Sequence, residues 1–279
     1  MDGICTLAND RMSPFLEAFL PSVRAHMPDL PVRIIPFDDN IAKTKALAKS
    51  HRAQIVEPDQ RWDELGAKLF GDEDYRRGVP AWRYLRKLNA FQTDLDRFLF
   101  LDVNCLVLND LRPLWTACMN DARDIVFAIR SRLDRTISKP DVRSVLEILS
   151  PRLGGAFNAC CFMSRRGTIE PETALAIGRN KNLRLLFGRA PEQAFMAWYI
   201  AVAGLNAFSM AEISRSLRRI IGGARFSIEK TDGGLHRFTE GPWKNNPIYL
   251  LKWGGQDVSA VHGGKNADLF QHHRQMALS

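Results

Sequence analysis

Asp96-Arg97-Phe98-Leu99-Phe100-Leu101-Asp102-Val103-Asn104-Cys105-Leu106-Val107-Leu108 is the stretch on which the fold of this chain turns. Phe98 to Leu101 is a continuous apolar run and reads as a central strand covered on both faces. Asp102 and Asn104 interrupt that run, and Cys105 to Leu108 resume it. A carboxylate between two buried strand halves costs several kcal/mol unless it is paired or coordinated. Two residues apart, Asp102 and Asn104 project to the same side of an extended chain. Both carry oxygen atoms that a hard cation such as Mg²⁺ or Mn²⁺ accepts while bridging to phosphates. The competing reading is a strand-to-strand turn with capped polar groups, and these residues alone leave the two open.

Upstream, Ile4 to Leu7 reads as a short buried strand, with Asn9-Asp10 at its exit. Ser13-Pro14 looks like a helix start, Ser as cap and Pro at the first helical position. Phe15, Leu16, Phe19, Leu20 and Val23 then recur at helical spacing. Val32 to Ile35 is a second strand, Ala42 to Ser50 a short helix and Gln54 to Val56 a third strand. This strand–helix alternation predicts a parallel sheet. Trp62 to Gly78 is charged and irregular, with weak helical character. Ala81 to Leu95 reads as a helix with Leu85, Leu88, Phe91 and Gln92 spaced along it.

Downstream, Ile125 to Ile129 reads as a strand. Arg130 to Arg152 is basic and lid-like or irregular, apart from a helix near Val142 to Leu149. Ala156 to Ser164 is a strand region, and Thr173 to Ile177 and Pro191 to Val202 are helices. Glycine pairs at 222–223, 233–234, 254–255 and 263–264 mark turns and close backbone approach to a ligand. No internal repeat or linker breaks the chain. It reads as one α/β domain over 1–279, with a tail over 266–279. His272-His273 are placed on that surface tail.

The 279 residues, 46% hydrophobic and 25% charged, suit a folded globular protein with a substantial core. A net charge of +8 suits an anionic partner: a nucleotide diphosphate, a nucleic acid or an acidic membrane. The basic residues are dispersed, with no basic tail and no aromatic residues interleaved in a basic strand, so nucleic acid is not the expected partner. The five cysteines are odd in number and show no zinc-site spacing. Most lie in apolar runs, so free thiols and a cytoplasmic location are expected. No signal peptide is read at the start. Ala194 to Leu205, the longest apolar run, is shorter than the ~20 residues a membrane span needs. Peripheral membrane contact stays open.

Four landmarks in order resemble the GT-A fold glycosyltransferases, especially the retaining family 8 type that includes galactosyltransferases and glycogenin. Arg86-Lys87-Leu88-Asn89-Ala90-Phe91 precedes the apolar strand and Asp102-Val103-Asn104, where the family carries a lysine-bearing segment and Asp-x-Asp. Ala156-Phe157-Asn158-Ala159-Cys160-Cys161-Phe162-Met163 matches its Phe-Asn-Ser-Gly region. Glu192-Gln193 matches the Asp-Gln that opens a helix. His262-Gly263-Gly264-Lys265 matches a His-bearing Gly/Lys loop, for which Lys252-Trp253-Gly254-Gly255 is the alternative.

The resemblance implies a single-domain GT-A (Rossmann-like) fold with a mostly parallel central sheet flanked by helices, its nucleotide-binding half over 1–110 and its sugar/acceptor half over 111–265. It implies sugar transfer from a nucleotide-diphosphate sugar, UDP-sugar foremost, to an acceptor hydroxyl, with retention and a divalent cation, Mn²⁺ or Mg²⁺. Thr6, Ala8 and Asn9 would contact the nucleobase and ribose, Lys87 the donor phosphate or sugar, and Asn158 the transferred sugar. Glu192 and Gln193 would sit by the anomeric carbon and acceptor. Asp102 and Asn104, with Val103 between them, would hold metal and donor. His262 would be the third metal ligand and Lys265 a diphosphate contact. Asn104 in place of the second Asp removes a negative charge and lowers the expected metal affinity. That departure motivates one alternative, a degenerate module that binds nucleotide or glycan without turnover. A basic nucleic-acid-binding protein is a second. No Gly-x-x-x-x-Gly-Lys-Ser/Thr loop, Gly-x-Gly-x-x-Gly after the first strand, or Gly-x-Ser-x-Gly elbow is present.

Overall fold

In a computed structural model of the chain, the described residues are 1–71, 74–76, 79–128, 130–131, 156–177, 191–214, 217, 220–241, 244–254, 261 and 264–277. The strands that build the central sheet are β1 (Asp2–Ala8), β2 (Val32–Pro36), β3 (Gln54–Ile55), β4 (Arg97–Leu101), β6 (Ile125–Phe127), β7 (Cys161–Arg165) and β8 (Ala207–Ser209). Their order is β8-β6-β7-β4-β1-β2-β3, and only β7 runs antiparallel to its neighbours. Among the described residues, the α-helices of seven or more residues are α1 (Ser13–His26), α2 (Ala42–Ser50), α3 (Gln60–Phe70), α4 (Arg112–Cys118), α5 (Pro171–Ile177), α6 (Pro191–Val202) and α7 (Ala267–Gln275).

The apolar strands are buried on both faces because alternate side chains feed different cores. Leu99 and Leu101 of β4 join Phe15, Phe19, Trp115 and Phe270, from α1, α4 and α7. Phe98 and Phe100 join Trp62, Leu85, Phe91 and Phe195 on the opposite side. Cys161 and Met163 against Phe162 in β7 repeat the division.

The chain leaves β1 for β2 and β3 on one side, then returns to β4 on the other. That reversal makes the β1–β4 crevice the topological switch point, where open α/β sheets bind ligands beyond the carboxyl ends of the strands. Ala8 and Leu101 are those ends.

Four elements differ from the sequence expectations. Ser13 is the first helical residue of α1 and no side chain caps that end. The charged segment after Asp59 forms α3, with Asp59 accepting from Arg61 N at its start. Trp62, Leu65, Gly66 and Leu69 give it a buried face at i, i+3, i+4, i+7 spacing. Ala81–Gln92 is a run of 3-10 turns rather than an α-helix. Residues three apart eclipse in that geometry, which stacks Leu85, Leu88 and Phe91 in one buried row. The tail is α7, docked on α1 through Phe270 against Phe15 and Arg274 on Glu17, with His273 buried. The lid-like segment lies outside the described residues apart from Arg130–Ser131, which pair with Ala156–Phe157. Among the described residues no helix is long and apolar enough to cross a membrane.

Candidate active site

The turn after β4 is fastened from two directions. Asp102 N donates to Cys160 O at 2.9 Å, just before β7. Beyond Asn104 the chain does not continue β4: β5 (Cys105–Val107) enters a second, three-stranded sheet of order β9-β10-β5. The central strand of that sheet, β10 (Leu250–Lys252), pairs parallel with β9 (Ile221–Gly223) and antiparallel with β5, Lys252 opposite Cys105. Trp253 N donates to Asn104 O at 3.0 Å and Asn104 Nδ2 donates to Trp253 O at 2.8 Å. Val103 and Asn104 are buried in this turn, and the Asp102 and Asn104 side chains converge on one cation, the Lys252 ammonium.

Two ammonium groups meet the exposed side of this turn. Lys87, from the 3-10 segment, donates to Asp102 Oδ1 at 3.1 Å and to Ala159 O at 3.0 Å. Lys252 donates to Asp102 Oδ2 at 2.8 Å and to Asn104 Oδ1 at 2.8 Å. Trp253 O can only accept and Lys252 can only donate, so the Asn104 amide has one orientation that serves both. The side chains of Lys87, Lys252 and Asp102 are 6%, 21% and 31% exposed, so the cluster opens toward solvent at the carboxylate. Burial would raise the Asp102 carboxyl, but Lys252 and Lys87 outweigh it and hold it below the ordinary range. Burial would lower both lysines, and Asp102 outweighs it and raises them.

Glu192, in the first turn of α6, is 7% exposed, and among the described residues its Oε2 has no hydrogen-bond partner. Burial raises its carboxyl above the usual range against the opposing pull of Lys87, so the two lie within electrostatic reach. Gln193 is half-buried beside it. Asn158 Oδ1 accepts from Cys160 N at 2.9 Å and shapes the turn that also receives Asp102 N.

At the end of β1, Thr6 and Ala8 are buried and Asn9 Nδ2 donates to Asp38 Oδ2 at 2.7 Å. Thr6 Oγ1, Asn9 Oδ1 and Arg83 Nε are buried without partners among the described residues. Asp10, next in sequence, is committed elsewhere: it accepts from Lys43 N, Thr44 N and Thr44 Oγ1 at the start of α2.

No family model matches the sequence. No curated protein matches it either. Solved structures do. The galactosyltransferase LgtC, in complex with donor and acceptor sugar analogues, aligns over 99% of this chain and 96% of its own, at 15% identity and TM-score 0.55. An active-site Gln-to-Glu mutant of LgtC aligns over the same shares at TM-score 0.58 and 15% identity. The glycosyltransferase GlyE of Streptococcus pneumoniae TIGR4 aligns over 99% of this chain and 61% of its own, at 10% identity and TM-score 0.54. The fold is GT-A.

On this GT-A frame, Lys87, Asp102 and Asn104 come together with Lys252, and Glu192 comes within electrostatic reach of Lys87. His262 lies outside the described residues. Lys265 is half-exposed and donates to Glu240 instead of joining the Asp102 cluster. Lys252 was visible in the sequence only as the alternative Gly/Lys loop, and its place follows from the β5–β10 pairing. The divalent cation expected at Asp102 and Asn104 does not fit the donor set as it stands. Lys252 already engages the two oxygens such an ion would use. Among the described residues, no group of three or more His, Cys, Asp or Glu is placed to hold a metal ion.

Proposed function

We propose that this protein is a glycosyltransferase that moves a sugar from a nucleotide-diphosphate sugar to an acceptor hydroxyl. The observation that carries the reading is the pair of ammonium groups, Lys87 buried and Lys252 half-buried, held on Asp102 at the switch point of a GT-A sheet. In the reaction the bond from the anomeric carbon to the diphosphate oxygen breaks and the acceptor oxygen replaces it. Negative charge grows on the departing diphosphate, and fixed cations in a partly dry site stabilise that charge most. Lys252 and Lys87 supply it here. Thr6, Ala8 and Asn9 would receive the nucleobase and ribose, and Asn158 the transferred sugar.

Glu192 and Gln193 would flank the anomeric carbon and acceptor. The LgtC mutant named above replaces a glutamine of that enzyme's active site with glutamate, which supports a role for Gln193. The departing phosphate would take the acceptor proton, giving retention, and the family 8 resemblance favours a uridine diphosphate donor. The test is donor hydrolysis across a panel of nucleotide sugars, with and without Mn²⁺. Turnover of at least one donor supports the transferase, and absence of both binding and turnover for every donor sinks it. Asn104, which leaves Asp102 the sole carboxylate of the turn, favours a second reading, a module that binds nucleotide or glycan without turnover. Nucleotide binding beside a null activity panel would select it.

A further inference from the structure

We infer that the Lys252 ammonium is the resident cation of this site and does for the donor diphosphate what a divalent metal ion would otherwise do. The inference rests on the nucleotide-sugar reading above and deepens it. The position is built rather than incidental. Lys252 is the last residue of β10, and reciprocal backbone and side-chain hydrogen bonds tie the next residue, Trp253, to Asn104. Lys252 Nζ then sits 2.8 Å from Asp102 Oδ2 and 2.8 Å from Asn104 Oδ1, bridging the two as a metal ion would. An ammonium has three N–H donors, and those bonds use two, which among the described residues leaves one for a phosphate oxygen.

Charge balance also accounts for Asn104. An amide in place of a carboxylate removes one negative charge, and an ammonium in place of a divalent ion removes one positive charge. The net charge presented to the diphosphate is therefore unchanged. A second carboxylate beside Lys252 would instead neutralise the cluster of Asp102, Lys87 and Lys252 and weaken its hold on an anion. When the anomeric carbon–oxygen bond breaks, its electron pair goes to the diphosphate oxygen. Lys252 meets that charge from its fixed position on Asp102 and Asn104, donating its N–H without giving up the proton.

The experiment titrates UDP, GDP and ADP into the full chain by calorimetry, in EDTA and again in excess Mn²⁺, with Mn²⁺ alone followed by electron paramagnetic resonance. The expected result is nucleotide binding in EDTA that Mn²⁺ changes by less than about threefold, and no Mn²⁺ bound by the protein alone. Lys252→Met should weaken the nucleotide by about tenfold or more, the scale of one charge-assisted hydrogen bond. Lys252→Ala combined with Asn104→Asp should bind Mn²⁺ and require it for nucleotide. Binding by the unaltered chain that appears only with Mn²⁺, or undiminished binding by a folded Lys252→Met, overturns the lysine role and leaves the transferase reading standing. No binding of any of the three nucleotides in either condition overturns both. The EDTA–Mn²⁺ comparison needs no variant, so a Lys252→Met that fails to fold does not remove the test.

Discussion

Glu192 is the residue whose chemistry reads most directly as pH dependence. Burial raises its carboxyl above the usual range, and Lys87 pulls the other way without cancelling it. If the ionised form orients the reacting face, turnover rises with pH through a value above the ordinary glutamate range. Glu192→Gln should flatten that limb and lower kcat by about ten- to a hundredfold, the scale of one charge-assisted hydrogen bond that orients the reacting groups. A pH–rate profile of the two proteins checks it, and an unchanged limb in the variant assigns the titration elsewhere. At this scale the sequence was uneven. Asp102 and Asn104 stood out because polar residues interrupt an apolar run. Lys87 stood out by its distance before that run. Lys252 gave little signal, because it reaches Asp102 from 150 residues further along the chain. Such a contact is set by strand pairing, and no local pattern encodes it.

The 3-10 segment that carries Lys87 depends on its fit against α3. A Cβ added at Gly66 would lie 2.7 Å from Trp82 Cβ and 2.9 Å from Trp82 O. The backbone at Trp82 must therefore shift. Gly66→Ala should cost about 1–3 kcal/mol by overpacking, read as a lower denaturant midpoint. It should also lower kcat, because Lys87 moves with its segment; a variant of unchanged midpoint would show that the two elements separate freely. The sheet elements were legible, since strands buried on both faces leave continuous apolar runs, as in Phe98–Leu101 of β4. The type of the 81–92 segment was not. Leu85, Leu88 and Phe91 satisfy a spacing of three that both helix types share over so short a run. β5 was hidden for a related reason: an apolar run resuming after a turn looks alike whether it continues one sheet or enters another.

For the molecule as a whole, α7 closes the sheet face opposite α3 and ties stability to acid. Burial lowers the His273 imidazole to about 4, with His272, His26 and His236 adding to the effect. The unfolded imidazole titrates near 6.5, so the unfolded chain binds the extra proton between those values. The stability that neutral His273 contributes is present above about pH 6.5 and lost as pH falls toward 4, roughly 3 kcal/mol in all. Melting curves from pH 7 to 4 should fall more steeply for the unaltered chain than for His273→Leu, and parallel slopes would remove His273 as the cause. The fold itself was readable at this scale from the order of its elements, which the GT-A likeness to LgtC matches over nearly the whole chain. The measurement closest to the central claim is a crystal structure of the protein soaked with uridine diphosphate in the presence of Mn²⁺. The expected result is a diphosphate oxygen on Lys252 Nζ, the ammonium still bridging Asp102 and Asn104, and the base at the Thr6–Asn9 end of β1. A Mn²⁺ ion between Asp102 and Asn104 with Lys252 turned away, or nucleotide bound elsewhere on the molecule, would contradict it.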